Sequence, residues 1–455
     1  MVKLSGVIYM IIFYPKDVQY IIDKLNENGY EAFLVGGCVR DIILEIKPKD
    51  FDITTNALPA QVMAIFNKTI PTGIKHGTVT VLLNDTPYEV TTYRIDGDYK
   101  DNRRPEDVRF VSSLKEDLSR RDFTINALAY NNKEGLKDFF NGTEDLSLRL
   151  IRAVGDADKR FQEDALRMLR AIRFSCQLNF NIHEKTLEAI KNQGSLILNI
   201  SSERIRDELC KILLSPNASK GFRLLNTTRI LNYILPELQK TVDFDQRTPY
   251  HHKDVFEHTL AVIEKVPNKL ILKLAALFHD IAKPQCFFIG EDGIGHFYEH
   301  QKVGMDLSKK ILRGLSFDND TINKVSILVK EHMNILFNPK DSAIKRLINR
   351  VGRDLIFDLY DLQKADILSS SPPFIALEAL EFMRERTKEI LEANEPLDKS
   401  SLSINGTVLM NSLNLRPGKI VGEIIDYLMN KVIEEPNLNN EVYLLKLAKE
   451  YLNNK

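Results

Sequence analysis

Asp50 and Asp52 stand at i and i+2 in the stretch LVGGCVRDIILEIKPKDFDIT, residues 34–54. Alternate residues of a strand project from one face, so the two carboxylates are forced side by side. Their repulsion is relieved when a divalent cation sits between them. Just upstream, Gly36-Gly37 opens a short amphipathic segment carrying Arg40 and Asp41. A Gly-Gly turn into a helix leaves backbone N–H groups for phosphate oxygens. Phosphate cradle plus paired acids is what nucleotidyl transfer on Mg²⁺ requires. The plain alternative is a surface loop with a chance D-x-D.

Other charged residues extend this chemistry. Glu89 lies on the alternating run Tyr88–Arg94, where it completes a carboxylate cluster with Asp50 and Asp52 or merely faces solvent. Arg120-Arg121-Asp122 begin RRDFTIN, which reads as a helix opening with Asp122 in its first turn. Two arginines there form a fork for a triphosphate. Asp164 and Arg167 stand at i and i+3 in RFQEDALRMLRAIRF, residues 160–174. The spacing predicts one helix with Phe161, Leu166, Leu169, Ile172 and Phe174 on its core stripe. As a surface ion pair they are worth only ~0.3–0.5 kcal/mol. As a recognition pair, one acceptor and one donor match the edge of cytosine at N4 and N3, and of adenine at N6 and N1. Uracil and guanine reverse that order and leave both protein groups unpaired.

Seven of the nine histidines fall between His251 and His332. His258, His279-Asp280, His300, His332 and Asp366 form an ordered series on runs that read as helices. Imidazoles and carboxylates converging from several helices suit Mn²⁺, Fe²⁺, Ni²⁺ or Mg²⁺ better than structural zinc. The alternative is a helical domain with surface histidines and one capped His-Asp.

These residues need elements to position them. Pro15–Gly29 reads as a helix with Val18, Ile21, Ile22 and Leu25 inward, and Ala32–Val35 as a strand. A helix over Leu58–Phe66 follows, then strands Thr78–Leu83 and Tyr88–Arg94 joined by a hairpin loop Asn84–Pro87. Residues 96–108, with Arg103 and Arg104, are polar and turn-rich, hence a mobile loop. Beyond Leu148 helical spacing takes over. Ser215–Leu238 reads as helices offering Lys220, Arg223 and Arg229 to RNA phosphates, and Gly418 and Gly422 would let a phosphate backbone approach. With 455 residues, 44% hydrophobic and 27% charged, the chain has ample core for two to four domains and is not disordered. Its formal charge of −1 confines nucleic-acid contact to local basic patches. Four scattered cysteines argue for reduced thiols in the cytosol. Val7–Tyr14 is too short to span a bilayer, and Met10 is an alternative start.

Five motifs in order carry a family resemblance: LVGGCVRD…DFDIT, GIKHGTVTV…YEVTTYR, DGDYKDNRRP, RRDFTINALAY and IRAVGDADKRFQEDALRMLRAIRF. Over the first ~235 residues the chain resembles a class II tRNA nucleotidyltransferase, the CCA-adding branch of the polymerase-β-like superfamily. That resemblance implies an α/β head with a small mixed sheet, then an all-α neck, body and tail. It implies Asp50 and Asp52 as Mg²⁺ ligands, with Gly36, Gly37 and Arg40 on the triphosphate. Arg121 and Asp122, within the motif that ends at Asn126, would hold phosphates and ribose, with Arg120 and Arg170 as helpers. Asp164 and Arg167 would read the incoming base, and CTP, ATP and the tRNA 3′ end would be the partners. The histidine series resembles an HD-family phosphohydrolase, implying a second divalent-metal site built from His258, His279, Asp280, His300, His332 and Asp366. The expected division is head 1–150, neck and body 151–240, HD domain 241–375 and tail 376–455, in a cytoplasmic protein without a membrane segment. Poly(A) polymerases show Gly-Arg-Arg/Lys-Phe before the hairpin strand, where this chain has Gly73-Ile74-Lys75-His76-Gly77. CC-adding enzymes lack the loop at residues 96–105. An A-adding enzyme, or a phosphohydrolase with a relic head, stays open.

Overall fold

Ala32–Val35 (β1) is buried at all four positions, as a strand covered on both faces must be. In the computed structural model, residues 2–4, 7–9, 13–97, 99–100, 104–105, 108–247, 253–291, 293–372, 374, 376–393 and 399–454 are described. β1 sits inside a seven-stranded mixed sheet with Asp52–Thr55 (β2), Thr69–Gly73 (β3), Thr78–Leu83 (β4), Thr86–Thr92 (β5), Leu128–Asn131 (β6) and Gly135–Asp138 (β7). The order is β7-β6-β1-β2-β5-β4-β3, with β2 and β5 parallel and the other neighbours antiparallel. The parallel ladder sets Asp52 opposite Glu89.

Helix Lys16–Glu27 (α1) buries Val18, Ile21, Ile22 and Leu25, the stripe read from spacing. Helix Gly37–Ile43 (α2) leads from β1 toward β2. The hairpin between β4 and β5 is tighter than expected. Asn84 and Asp85 alone form the turn, both at positive φ, and Pro87 already pairs with Leu82. Two left-handed residues give the turn whose twist matches the strands, so no longer loop is needed. The presumed loop at 96–108 is bounded by a ladder of Arg94–Asp96 with Val108–Phe110. Arg103 and the side chain of Arg104 lie outside the described residues.

Two expected helices are corrected. RRDFTIN forms a short 3₁₀ turn, Thr124–Asn126, that feeds directly into β6. Asp122 precedes that turn and caps it locally, its Oδ1 accepting from Phe123 N at 2.8 Å and Asn126 Nδ2 at 3.0 Å. The run 160–174 is two helices, Ala157–Glu163 (α3) and Leu166–Leu178 (α4), broken at Asp164 with φ −141° and ψ 104°. Asp164 Oδ1 takes the Leu166 N–H at 3.1 Å, a side-chain bond that competes with helix continuation. The core stripe holds nonetheless: Phe161, Leu166, Leu169, Ile172 and Phe174 are all buried. Helix Ser202–Leu213 (α5) packs on α4.

The chain divides into two units, Met1–Pro236 and Glu237–Lys455. The second is helical: Val255–Lys265 (α6), Leu270–Phe278 (α7), His300–Gly314 (α8), Asn319–Glu331 (α9), Ile356–Ser369 (α10), and then Gly406–Leu413 (α11), Lys419–Glu434 (α12) and Glu441–Asn453 (α13). The last three share a core around Leu409, Ile424, Leu428, Val432, Leu444 and Ala448. No helix among the described residues is long and apolar enough to cross a membrane.

Candidate active site and second metal centre

The carboxylates of the head gather at the start of β2. Asp52 is its first residue, Asp50 lies two residues before the ladder begins, and Glu89 faces Asp52 from β5. The strand therefore does not carry Asp50, as the i, i+2 argument assumed; the approach segment does. Asp52 reaches solvent yet is hemmed in by protein. Burial, then the charges of Asp50 and Glu89, push its carboxyl up to about 6 against the pull of Arg121. A carboxyl held against two neighbouring acids is the setting in which a hard divalent cation relieves the repulsion.

Gly36 is required twice over. Its φ is +82°, and a Cβ there would stand 2.8 Å from Arg121 Nη1. Its own N–H is given to Leu128 O at 3.0 Å, which corrects its expected role as a phosphate donor. Helix geometry leaves the amides of Gly37, Cys38 and Val39 without intrahelical acceptors, while Arg40 N bonds Gly36 O at 3.2 Å.

The arginines divide by role. Arg120 spends its fork on Asp117 Oδ1 at 2.9 and 3.0 Å and on the Arg94 carbonyl at 3.1 Å. Through Nε and Nη2 it braces the head. Arg121 lies 3.6 Å from Asp117 Oδ2, and its buried Nε has no hydrogen-bond partner. Burial, then Arg120, lowers its pKa, with Asp117 and Asp52 opposing. Asp117 is thus the fully buried anchor of both arginines. It stands at i−3 and i−4 to them, a spacing visible in LKEDLSRR that the sequence reading passed over.

A second network joins α2 to α4. Arg40 is buried, with Nε and Nη2 on Asp41 Oδ1 at 2.8 and 2.6 Å and Nη1 on Asn126 Oδ1 at 2.6 Å. Asn126 donates to Asp122, whose other oxygen takes Arg170 Nε and Nη2 at 2.8 and 2.5 Å. Four donors from the protein surround the Asp122 carboxylate. Arg170, with Asn126, holds its carboxyl well below the usual range against burial. The guanidiniums of Arg40, Arg170 and Arg173 lie 5.0, 5.5 and 4.3 Å from the Phe174 ring. Arg40, Asn126, Asp122 and Arg170 form a brace; buried guanidiniums must spend their donors on protein.

Asp164 and Arg167 are not an ion pair with each other. Arg204 Nη2 of α5 holds Asp164 Oδ2 at 2.8 Å. Arg167 is held by Glu163 at 2.8 Å and by the carbonyls of Arg160 and Arg120 at 3.3 and 2.9 Å. Both side chains are fixed from behind by residues that spacing did not single out, Glu163 and Arg204. Of the other basic candidates, Lys220 donates to Phe180 O at 2.8 Å. At the tail glycines a Cβ on Gly422 meets nothing within 4 Å and one on Gly418 only Arg416 O at 4.0 Å.

In the second unit, the six residues of the histidine series come together from α6, α7 and its end, α8, α9 and α10. His258, His279, Asp280, His300 and His332 are buried, contrary to the surface-histidine alternative. His279, His300 and His332 each bond a carbonyl through Nδ1, those of Ala276, Phe297 and Val329 at 2.8, 2.8 and 2.7 Å. That sets the proton on Nδ1 and aims the Nε2 lone pairs inward. His300 and His332 then face each other at 3.3 Å, and His279 faces His258 at 3.4 Å. Asp280 divides its oxygens between the pairs: Oδ2 lies 3.2 Å from His279 and 3.6 Å from His258, Oδ1 3.3 Å from His300 and 3.8 Å from His332. Asp366 Oδ1 lies 2.9 Å from His258 Nε2. Burial, then the neighbouring imidazoles His279 and His300, pull His332 down to about 3, so it is neutral. Converging lone pairs and carboxylate oxygens in two triads, His258-His279-Asp280 and Asp280-His300-His332, are a fit for divalent cations. Lys283, 2.7 Å from Asp280 Oδ2 and 2.9 Å from Gln246 Oε1, is a cation at this centre that the motif reading missed.

Comparison with known proteins adds a family to this geometry. The family described as the poly A polymerase head domain matches residues 32–152, and the probable RNA and SrmB-binding site of polymerase A matches 179–241. A third, tRNA nucleotidyltransferase domain 2 (putative), matches 300–448. The CCA-adding enzyme of Leuconostoc mesenteroides is 34% identical over 445 residues, 96% of each chain. That of Staphylococcus aureus is 33% identical over 428 residues, 94% of this chain and 95% of its own. The Bacillus stearothermophilus CCA-adding enzyme in complex with CTP superposes with a TM-score of 0.71 at 30% identity, covering 97% of this chain and 99% of that one. The Thermotoga maritima enzyme complexed with tRNA shares the fold, with a TM-score of 0.55 at 22% identity, over 97% of this chain and 96% of its own. With a third of its residues in common along almost its whole length, on a head of this layout, the chain belongs to the class II CCA-adding enzymes.

Proposed function

We propose that this protein adds C, C and A to the 3′ end of tRNA from CTP and ATP, without a nucleic-acid template. The observation that carries the reading is Asp52 facing Glu89 across the β2–β5 ladder, beside Asp50 and within the charge of Arg121. Mg²⁺ bound there would lower the pKa of the RNA 3′-hydroxyl and neutralise the leaving pyrophosphate. Asp50, Asp52 and Glu89 supply its oxygen ligands. Arg121, its Nη1 against Gly36 and its charge felt by Asp52, is the group for the triphosphate, next to the first-turn amides of α2. The Arg40–Asn126–Asp122–Arg170 brace keeps α2 and α4 at fixed separation. Asp164 accepts the exocyclic amino group of cytosine or adenine while Arg167 donates to the adjacent ring nitrogen. Incubation with tRNA lacking CCA and each nucleotide separately tests this. CTP then ATP incorporation is expected, with UTP and GTP rejected. Long A-tails without CTP use would overturn it in favour of a poly(A) polymerase, and ATP addition only to tRNA ending in CC in favour of an A-adding enzyme.

The buried histidine–aspartate cluster supports a second activity in the same chain, hydrolysis of phosphate esters. A divalent metal held there would activate water and neutralise phosphate charge. Asp280 spans both triads, and Lys283 is placed to meet a phosphate oxygen or to hold Asp280 ionised. The working domains we infer are head, neck and body in the first unit and HD domain and tail in the second, with the cytoplasm as the site of action.

A further inference from the structure

The short helix Leu114–Ser119 ends at the two arginines, with Arg120 as its cap and Arg121 next in the chain. Carbonyls in the last turn of a helix have no partner within it. Those of Ser119 and Arg120 each take a guanidinium from the break between α3 and α4. Arg160 Nη1 donates to Ser119 O at 3.1 Å, and Arg167 Nη2 to Arg120 O at 2.9 Å. Glu163 joins the two cations, its Oε1 accepting from Arg160 Nη2 at 2.5 Å and its Oε2 from Arg167 Nη1 at 2.8 Å. The side chains of Arg160, Glu163 and Arg167 are 13, 16 and 10% exposed, so water screens these bonds little. Ser119 O, Arg160, Glu163, Arg167 and Arg120 O thus make one link that ends on the residue before Arg121.

The link decides what Arg167 has left to offer. A guanidinium carries five N–H donors and no acceptor. Arg167 spends both donors of Nη1 on Glu163 and the Arg160 carbonyl, and one of Nη2 on the Arg120 carbonyl. Its Nε–H and second Nη2 N–H have no acceptor among the described residues and remain for a base. A group with donors only accepts any base that brings it an oxygen or a bare ring nitrogen. If Arg167 could turn, it would meet uracil O4 or guanine O6 as readily as cytosine N3 or adenine N1, so rejection requires that it be held still. Arg121 is anchored separately, on Asp117. We propose that Arg160 is a positioning residue for base selection. It acts through Glu163 and Ser119, not by contact with the nucleotide, and keeps Arg167 from turning toward the wrong base. This rests on the reading of Asp164 and Arg167 as the base-reading pair.

The test measures single-nucleotide incorporation by the full chain on tRNA lacking CCA, with CTP and with UTP. Arg160→Ala should narrow the preference for CTP over UTP in kcat/KM about tenfold, the effect of losing one hydrogen bond to a charged group. CTP use should fall while UTP use holds. Arg160→Lys keeps a charge beside Glu163 without the planar fork to Ser119 and should narrow the preference less, about threefold. Inhibition by inorganic triphosphate, which has no base to read, should stay within about twofold of wild type in both variants, because Asp117 still anchors Arg121. A wild-type preference in Arg160→Ala, or an equal fall for CTP, UTP and triphosphate inhibition, would overturn the proposal. If circular dichroism shows Arg160→Ala unfolded, Arg160→Lys decides: a narrowed preference sustains the role and a wild-type preference sinks it. Arg167→Ala separates the two readings. Lost preference there, with wild-type preference in Arg160→Ala, strikes the role of Arg160 alone. Wild-type preference in Arg167→Ala strikes the base-reading pair, and the role of Arg160 with it.

Discussion

Asp117 shows how a buried charge organises a site it does not enter. It anchors Arg120 and Arg121 together, and these arginines hold its carboxyl below the usual range against burial. Removing one partner of a buried pair leaves the others uncompensated, at about 3–5 kcal/mol. Asp117→Ala should lose about 3 kcal/mol in urea unfolding and raise KM for CTP, since Arg121 is set free. Asp52 has the opposite sign. Its folded carboxyl is pushed up to about 6 from 3.8, so the fold disfavours the ionised form. The cost is absent below pH 4, where both states hold the proton, and full above pH 6. In chelator at pH 7, Asp52→Asn should therefore be more stable than wild type by about 1 kcal/mol after solvent screening. The gap should close as pH falls toward 4, while nucleotidyl transfer is lost. Equal stability at pH 7 would remove the argument that the acids are held in repulsion for a cation.

At the scale of elements, the break between α3 and α4 matters more than either helix. An unbroken helix would put Asp164 and Arg167 on one face, where they would neutralise each other. The break lets Arg204 of α5 take Asp164 and lets Glu163 take Arg167. Each side chain keeps hydrogen-bonding capacity while its position is fixed, which is what discrimination between bases needs. Asp164→Ala should abolish preference for CTP and ATP over UTP and GTP while leaving slow transfer. Arg204→Ala, which frees Asp164 without removing it, should narrow the preference about tenfold, the effect of 1.4 kcal/mol. Single-nucleotide incorporation kinetics distinguish the two outcomes. If Arg204→Ala changes total rate and not the ratio, α5 serves stability only.

At the scale of the molecule, each of the two units carries a candidate site for a divalent cation, and the two differ in character. The head set is all carboxylate and solvent-accessible; the second is mostly imidazole and buried. Anything that binds only the folded state stabilises it by mass action, about 2.7 kcal/mol at 100 times Kd. Mn²⁺ should therefore raise the unfolding temperature of the second unit, and a His300→Ala/His332→Ala variant should lose that rise. Calorimetry of the full chain with and without chelator reads it. No rise in wild type would argue that the cluster takes no metal.

Much of this was legible in the residues alone. Apolar periodicity depends only on local spacing, so α1, β1 and the core stripe of α3 and α4 followed from it. The order of the histidine series also announced a cluster. Whether Glu89 joined Asp50 and Asp52 or faced solvent stayed open in the sequence, because Glu89 meets Asp52 through the register of strands distant in sequence. The protein partners of Arg40, Arg120 and Asp122 did not follow for the same reason: a charged side chain's partners are set by what the fold buries beside it. Asp50 and Asp52 are two acids in any reading of the chain. Only the tertiary structure brings Glu89 and Arg121 to them, because long-range packing, not spacing, decides which charges share a low-dielectric site.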